Sequence, residues 1–298
     1  MTRQTDIAVT IVTLDGELVE SETPLLYADD LAALRGDGVF ETLLVRDGVA
    51  CLLEAHLRRL ARSAQLMELP APELPAWRRV IDLALQRWVA NTAVEGALRL
   101  IYSRGRESGS RPTGYVMITA LPGRVAVARR DGVAAVTLDR GLSALAGKAD
   151  DAMPWLLAGA KTLSYAVNMA ALRHAARHGA DDVIFVSTDG YILEGPRSTV
   201  VIADADAAGN RRLLTPPPSY PILRGTTQQA LFEVARSKGY NCDYRPLRRS
   251  DLAAAQDIWL VSSITLAARV HTLDGRVLST SELNAEFIEL IDAAVSGR

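Results

Sequence analysis

The sequence predicts an α+β fold in two lobes, and three features of the residue pattern predict it. The first half opens with β-hairpin signals and follows them with two amphipathic helices. The second half sets many short apolar strands around two helices, without regular strand–helix alternation. Such segregation marks α+β packing and not an alternating parallel sheet. Finally, no glycine-rich dinucleotide fingerprint follows a strand and no P-loop pattern is present, so the two common parallel-sheet nucleotide readings lose their basis.

The elements follow in order. Residues 7–14, IAVTIVTL, are β-branched and read as a strand closed by Asp15-Gly16. VFETLLVR at 39–46, Asp47-Gly48 and VACLL form a hairpin, because Asp-Gly supplies the two positive-φ positions of a tight turn. From Leu53 the period changes: Leu57, Leu60, Ala61 and Ala64 share a helix face, and Pro70 ends the run. A second amphipathic helix covers 73–91. ALRLIYSRG and GYVMITALP then read as two strands, and LPGRVAVARRD at 121–131 reads as linker. VAAVTLDR resumes as a strand, and 141–158 reads as loop or broken helix. SYAVNMAALRHAARHG is an alanine-rich helix stopped by Gly179. DVIFVST, YILEG and STVVIA read as three short strands, GTTQQALFEVARSKG as a helix and DIWLVSS as a buried strand.

Composition narrows the function classes. The chain has 298 residues, enough for one large or two medium domains at about 150 residues each. Lys+Arg is 33 and Asp+Glu is 35, a net charge of −2 that gives no general pull toward nucleic acid or anionic membrane. Apolar runs are far shorter than the roughly 20 residues of a membrane span, and the N-terminus has no signal-peptide pattern. Two cysteines, Cys51 and Cys242, fit a reducing cytoplasm. His174 and His178 are four apart on a helix, but a third ligand is missing and no metal site is expected.

Several residues could carry chemistry. Lys161, beside Gly159, Ala160 and Leu163, is a candidate for a partly desolvated amine. Desolvation lowers an amine's pKa and makes it nucleophilic toward carbonyls. Most lysines at helix starts are simply solvated. Glu194, at the end of an apolar strand before Gly195-Pro196, is either a loop acid or a buried acid with a cationic partner. Arg224-Gly225-Thr226-Thr227 opens a helix whose N-terminal N–H groups and hydroxyls suit phosphate. An ordinary threonine cap is the commoner use of that pattern. Arg58 and Arg59 point in different directions, so one can turn inward as a bidentate phosphate partner. Ser262-Ser263 at a strand end offer two more hydroxyls.

RGDGVFETLLVRDG, LLEAHLRRLARSA, GAKTLSYA, GADDVIFVSTDGYILEGPRSTV and ILRGTTQQAL occur in this order. Together they resemble the fold-type IV pyridoxal-phosphate enzymes: branched-chain aminotransferases, D-amino acid aminotransferases and 4-amino-4-deoxychorismate lyases. The resemblance covers about residues 25–270. It implies that Lys161 is the Schiff-base lysine and proton shuttle and that Glu194 pairs with the pyridine nitrogen. Arg59, in the H-x-x-R-L pattern, and Thr226 and Thr227, in the Gly-x-Thr pattern, would hold the phosphate. Ser262-Ser263 stands where relatives carry Gly-Thr or Asn-Ala, as a second phosphate contact. Tyr165 would approach the cofactor's 3′ oxygen, though some relatives place their tyrosine one residue further on. Phe40 and Arg99 fall where relatives line the substrate pocket, with Arg99 as a carboxylate clamp or a plain surface arginine.

The resemblance also implies a small α/β sandwich lobe over 1–120 and a linker over 121–129. A larger, strand-rich, barrel-like lobe over 130–298 would carry the lysine. It implies pyridoxal 5′-phosphate as cofactor, a small amino-acid-like substrate and a homodimer. The compact GDGVFET block and the Lys-Thr-Leu-Ser-Tyr run are more similar to the lyases, which release pyruvate and leave 4-aminobenzoate, a folate precursor. A D-amino acid or branched-chain aminotransferase is the alternative. A protein that binds the cofactor without turnover, or a plain interaction domain, are readings of another class.

Overall fold

The computed structural model describes residues 9–92, 94–147, 153–205, 211–279, 281 and 283–296. The chain divides into two compact units. One unit is residues 1–122 together with 160–165; the other is 123–159 and 166–298.

The first unit begins with β1 (Val9–Thr13), β2 (Leu18–Val19), α1 (Leu31–Arg35), β3 (Gly38–Arg46) and β4 (Val49–Ala50). It continues through α2 (Leu53–Leu66), α3 (Leu74–Asn91), β5 (Gly96–Ser103) and β6 (Thr113–Ala120). Its strands form one antiparallel sheet in the order β2-β1-β6-β5-β3-β4. The predicted hairpin is present: Val45 faces Ala50, and Asp47 and Gly48 take φ of 51° and 76°. Alternation along the strands turns Val12, Val39, Leu43, Leu98, Leu100, Val116 and Ile118 to one face. There they pack on Leu57, Leu60 and Ala64 of α2 and on Trp77, Val80, Ile81, Ala84 and Trp88 of α3. The helical stripe read from the sequence is this buried one.

The second unit holds α4 (Gly123–Asp131), β7 (Val133–Asp139), α5 (Ala166–Arg177), β8 (Asp182–Val186), β9 (Thr199–Ala205) and β10 (Arg211–Thr215). After these come α6 (Thr226–Ser237), β11 (Asn241–Tyr244), α7 (Arg249–Ala254), β12 (Asp257–Ser262), β13 (Leu266–Leu273), β14 (Arg276–Val277) and α8 (Leu283–Ser296). Its sheet runs β11-β10-β9-β12-β13-β7-β8, with β14 beside β13. The β10–β11, β13–β7 and β7–β8 pairs are parallel and the rest antiparallel. Ile184, Val200, Ile202, Leu214, Ile258, Leu260 and Val270 form the core of this unit. Trp259 stacks on Phe287 of α8 at 3.8 Å and donates its indole N–H to Asn284.

Three sequence readings are corrected. The stretch taken as linker is the helix α4, anchored by buried Val125 and by Arg129, which donates to the Ile264 carbonyl. Gly132 stops it at φ 82°. YILEG is not a ladder strand: isolated bridges tie its first two residues, Tyr191 to Arg248 and Ile192 to Val186. The segment 160–165, read as part of the larger lobe, groups with the first unit. There Phe40 donates its N–H to the Lys161 carbonyl and Leu163 donates to the Gly38 carbonyl, which ties the segment to the edge of β3. Of 141–158, residues 144–147 and 154–156 form 3₁₀ turns and 148–152 lie outside the described residues.

Candidate active site

In the first unit the backbone places Lys161 before any side chain acts. The Lys161 N–H donates to the Ser63 hydroxyl of α2 at 3.0 Å, and its carbonyl accepts from Phe40. Gly38 and Gly36 make this close approach possible. A Cβ on Gly38 would lie 2.7 Å from both the Tyr102 carbonyl and the Leu163 side chain. One on Gly36 would lie 2.8 Å from the Ser164 hydroxyl. Held this way, the Lys161 Nζ sits 4.3 Å from the centre of the Phe40 ring and 5.5 Å from that of Tyr165. The two rings meet edge to face at 5.3 Å. Lys161, Phe40 and Tyr165 therefore form one group.

Arg59 lies behind the same strand. Phe40 and Glu41 are consecutive on β3 and point to opposite faces. Glu41 is completely buried, and its two oxygens accept from Arg59 Nε and Nη2 at 2.7 Å each. His56, also buried, meets the same carboxylate at 2.7 Å through Nδ1. Burial opposes ionisation of Glu41, yet the Arg59 guanidinium and His56 outweigh it and hold the carboxyl well below the usual range. Burial pushes His56 down despite the carboxylate beside it, and because a carboxylate only accepts, its Nδ1–H is the donor. Arg99, on β5 opposite Thr42, donates to the Thr119 hydroxyl at 3.0 Å. Burial lowers its pKa, and no carboxylate pairs with it among the described residues.

In the second unit Glu194 ends the 191–195 segment, whose N–H and C=O groups bond back to Phe185. Its Oε2 accepts the Leu223 N–H at 3.0 Å, two residues before Gly225 caps α6. No side chain caps that helix. Thr226 and Thr227 are buried in its first turn, and the Thr227 hydroxyl lies 3.4 Å from that of Ser263. The Ser262 hydroxyl accepts the Thr265 N–H and so shapes the turn after β12. A Cβ on Gly225 would fall 2.3 Å from the Thr199 hydroxyl, so only glycine leaves the helix mouth this tight. Amide N–H groups at a helix start, two threonines and serines beside them suit an anion, and the nearby acid suits a protonated ring nitrogen. The acid and anion cup of the second unit suit a phosphorylated pyridine, and the lysine of the first unit carries the kind of amine that bonds an aldehyde.

The sequence reading missed Glu41, His56 and Ser63. Their signal was present: Glu41 shares the inward phase of Val39 and Leu43, and His56 and Ser63 share the buried stripe of Leu57, Leu60 and Ala64. His174 and His178 lie on the surface with rings 4.2 Å apart, His178 bonding the His174 carbonyl.

Comparison with known proteins agrees with this chemistry. The chain belongs to the class IV aminotransferases, whose family model matches residues 38–273. Within that family it is 72% identical, over 96% of its length and 98% of the relative's, to a bifunctional aminodeoxychorismate lyase / D-amino acid transaminase of Mycobacterium tuberculosis. It also matches a hypothetical aminotransferase from that organism in its PLP-bound form, at TM-score 0.93 and 71% identity, over 97% of this chain and all of the other. The same aminotransferase in an alpha-ketoglutarate and PMP bound form matches at TM-score 0.92 over 97% of this chain.

Proposed function

We propose that this chain is a pyridoxal-phosphate enzyme that cleaves 4-amino-4-deoxychorismate to 4-aminobenzoate and pyruvate and also transfers the amino group of D-amino acids. The carrying observation is the 72% identity, end to end, to a relative described by both activities. The fit of the donor set to the cofactor supports it independently. A branched-chain preference has no comparable support.

The bound cofactor supplies an electron sink for the bond that breaks at the substrate. This chain's residues do the rest. Lys161 would hold the cofactor through its amine and, once the incoming substrate amine has taken its place, would take and return the proton at the substrate carbon. Glu194 holds the proton on the ring nitrogen. Thr226, Thr227, Ser262 and Ser263 would bind the phosphate with the α6 N-terminus, and Arg59 would add a cation. Tyr165 would approach the 3′ oxygen. Phe40 lines the substrate pocket, and Arg99, with no carboxylate of its own, takes one from the substrate.

The exposed Leu145, Met153, Trp155, Val167 and Met169 of the second unit support a homodimer. Two unpaired cysteines support a cytoplasmic place. Among the described residues no helix is long and apolar enough to cross a membrane.

The test runs pyruvate release from aminodeoxychorismate beside D-alanine/2-oxoglutarate transamination. Both activities are expected in the wild type, and both are lost in Lys161→Ala, together with the visible absorbance of the bound cofactor. Turnover that survives in Lys161→Ala removes the lysine from its role. Transamination without pyruvate release leaves a D-amino acid aminotransferase.

A further inference from the structure

Of the Glu41–His56–Arg59 cluster only Arg59 has a part in the chemistry above, yet Glu41 and His56 are almost wholly buried beside it. Glu41 and His56 are 0% and 1% exposed, and the Arg59 side chain 10%. A buried charge set of this kind contributes little net stability, because desolvation offsets most of the attraction. Its geometry is specific, however. The fork is side-on: both Glu41 oxygens are used by Arg59, through Nε and Nη2, and His56 adds a second donor to Oε2. A flexible arginine is thereby fixed in one rotamer from behind.

We propose that Glu41 is the positioning residue for Arg59, fixing its guanidinium in advance as a phosphate ligand, with His56 locking the carboxylate in turn. This rests on Arg59 being a phosphate ligand of the proposed cofactor. The advantage is entropic: a side chain ordered before binding loses less freedom when the ligand arrives. The same helix carries Ser63, which holds the Lys161 backbone. Glu41, fixed to α2, is thus one residue from Phe40, whose N–H holds the Lys161 carbonyl.

Glutamine is the informative replacement because it nearly preserves shape. Whichever way its amide turns, its NH2 faces an Arg59 N–H, since both carboxylate oxygens accept from that fork. The full chain, stripped of cofactor, is titrated with pyridoxal phosphate and with pyridoxal, which lacks the phosphate, and binding is read by absorbance. For Glu41→Gln the affinity for pyridoxal phosphate should fall about tenfold or more, the loss of one charge-assisted contact of about 1.5–3 kcal/mol. Affinity for pyridoxal should stay within about twofold, because no phosphate is there to be positioned. Equal losses for both ligands, no loss, or tighter binding of the phosphate form would each overturn the proposal. The last would mean that Glu41 merely dilutes the positive charge of Arg59.

Arg59→Ala separates the two levels of the argument. If it lowers the preference for pyridoxal phosphate over pyridoxal and Glu41→Gln does not, the positioning role fails and the phosphate role of Arg59 stands. If Arg59→Ala leaves the preference unchanged, the phosphate role itself fails. Should Glu41→Gln not fold, Glu41→Asp keeps the charge, shortens the reach and is titrated the same way. Loss of the phosphate preference supports the proposal, and its retention overturns it.

Discussion

Asp189 shows how a single residue ties loops together by charge. Its Oδ1 accepts the Ala144 N–H and its Oδ2 the Ser143 hydroxyl, at 2.9 and 2.8 Å. Burial raises its pKa, but bonds from Ser187, Ala144 and Ser143 outweigh that and hold it at about 2, against an ordinary 3.8. Between those two values the unfolded chain binds more protons than the folded one. Stability therefore rises with pH across the window and is lost as pH falls through it. Asp189→Asn should destabilise the protein at pH 5, and the gap to wild type should close as pH drops from 4 toward 2. Urea midpoints at several pH values measure this; a gap independent of pH would mean that shape, not charge, is what Asp189 contributes. In the sequence Asp189-Gly190 is only the link between DVIFVST and YILEG. The donors it accepts from lie some 45 residues away in a stretch without periodicity, and local patterning does not see such partners.

At the scale of elements, α6 combines a legible helix with a contact that local pattern does not reveal. Its Gly-Thr-Thr start and closing glycine were readable, because helix ends are set by local chemistry. The reason for Gly225 was not: it lies beside Thr199 of β9, whose hydroxyl would be 2.3 Å from a Cβ. Thr199 is buried and β-branched, so it has little room to yield. Gly225→Ala should cost about 1–3 kcal/mol, the range of overpacking. It should also push the helix mouth away from Thr199 and weaken phosphate binding. Thermal melts of the cofactor-free and cofactor-loaded protein read the two effects, and the added stabilisation by cofactor should shrink. An unchanged cofactor increment would detach Gly225 from the anion site. The helix α4 was misread for the converse reason. Pro122-Gly123 and three arginines mimic a linker, and what orders the helix is tertiary: Val125 is buried, Ala128 packs on the core, and Arg129 bonds Ile264, more than a hundred residues on. The C-terminal α8 went unread although its Phe287, Leu290, Ile291 and Ala294 form a helical stripe.

For the molecule as a whole, the order of the blocks identified the family, while the grouping of the chain in space departed from their order. Sequence distance suggested that Lys161 belongs with the residues around it. Instead the segment 160–165 joins the first unit, more than a hundred residues from its partners on β3. Long-range strand pairing of this kind leaves no local mark, since any extended tripeptide can bond to a sheet edge. Leu163 is the test. Its N–H donates to the Gly38 carbonyl at 2.8 Å, and Val39 bridges Thr162. Proline at 163 has no N–H to give and restricts the residue before it, so the edge contact opens while the core of the unit, centred on Trp77 and Trp88, is untouched. Leu163→Pro should thus keep the near-ultraviolet signature of the buried tryptophans and lose most cofactor absorbance. Apparent cofactor affinity should fall about tenfold or more, as the lysine samples positions away from Phe40 and only a fraction of molecules remain competent to bind. A variant that binds cofactor at wild-type strength would show that the lysine does not depend on the β3 edge. One that loses the tryptophan signal would show that 160–165 is part of the folding unit and not only a segment attached to it.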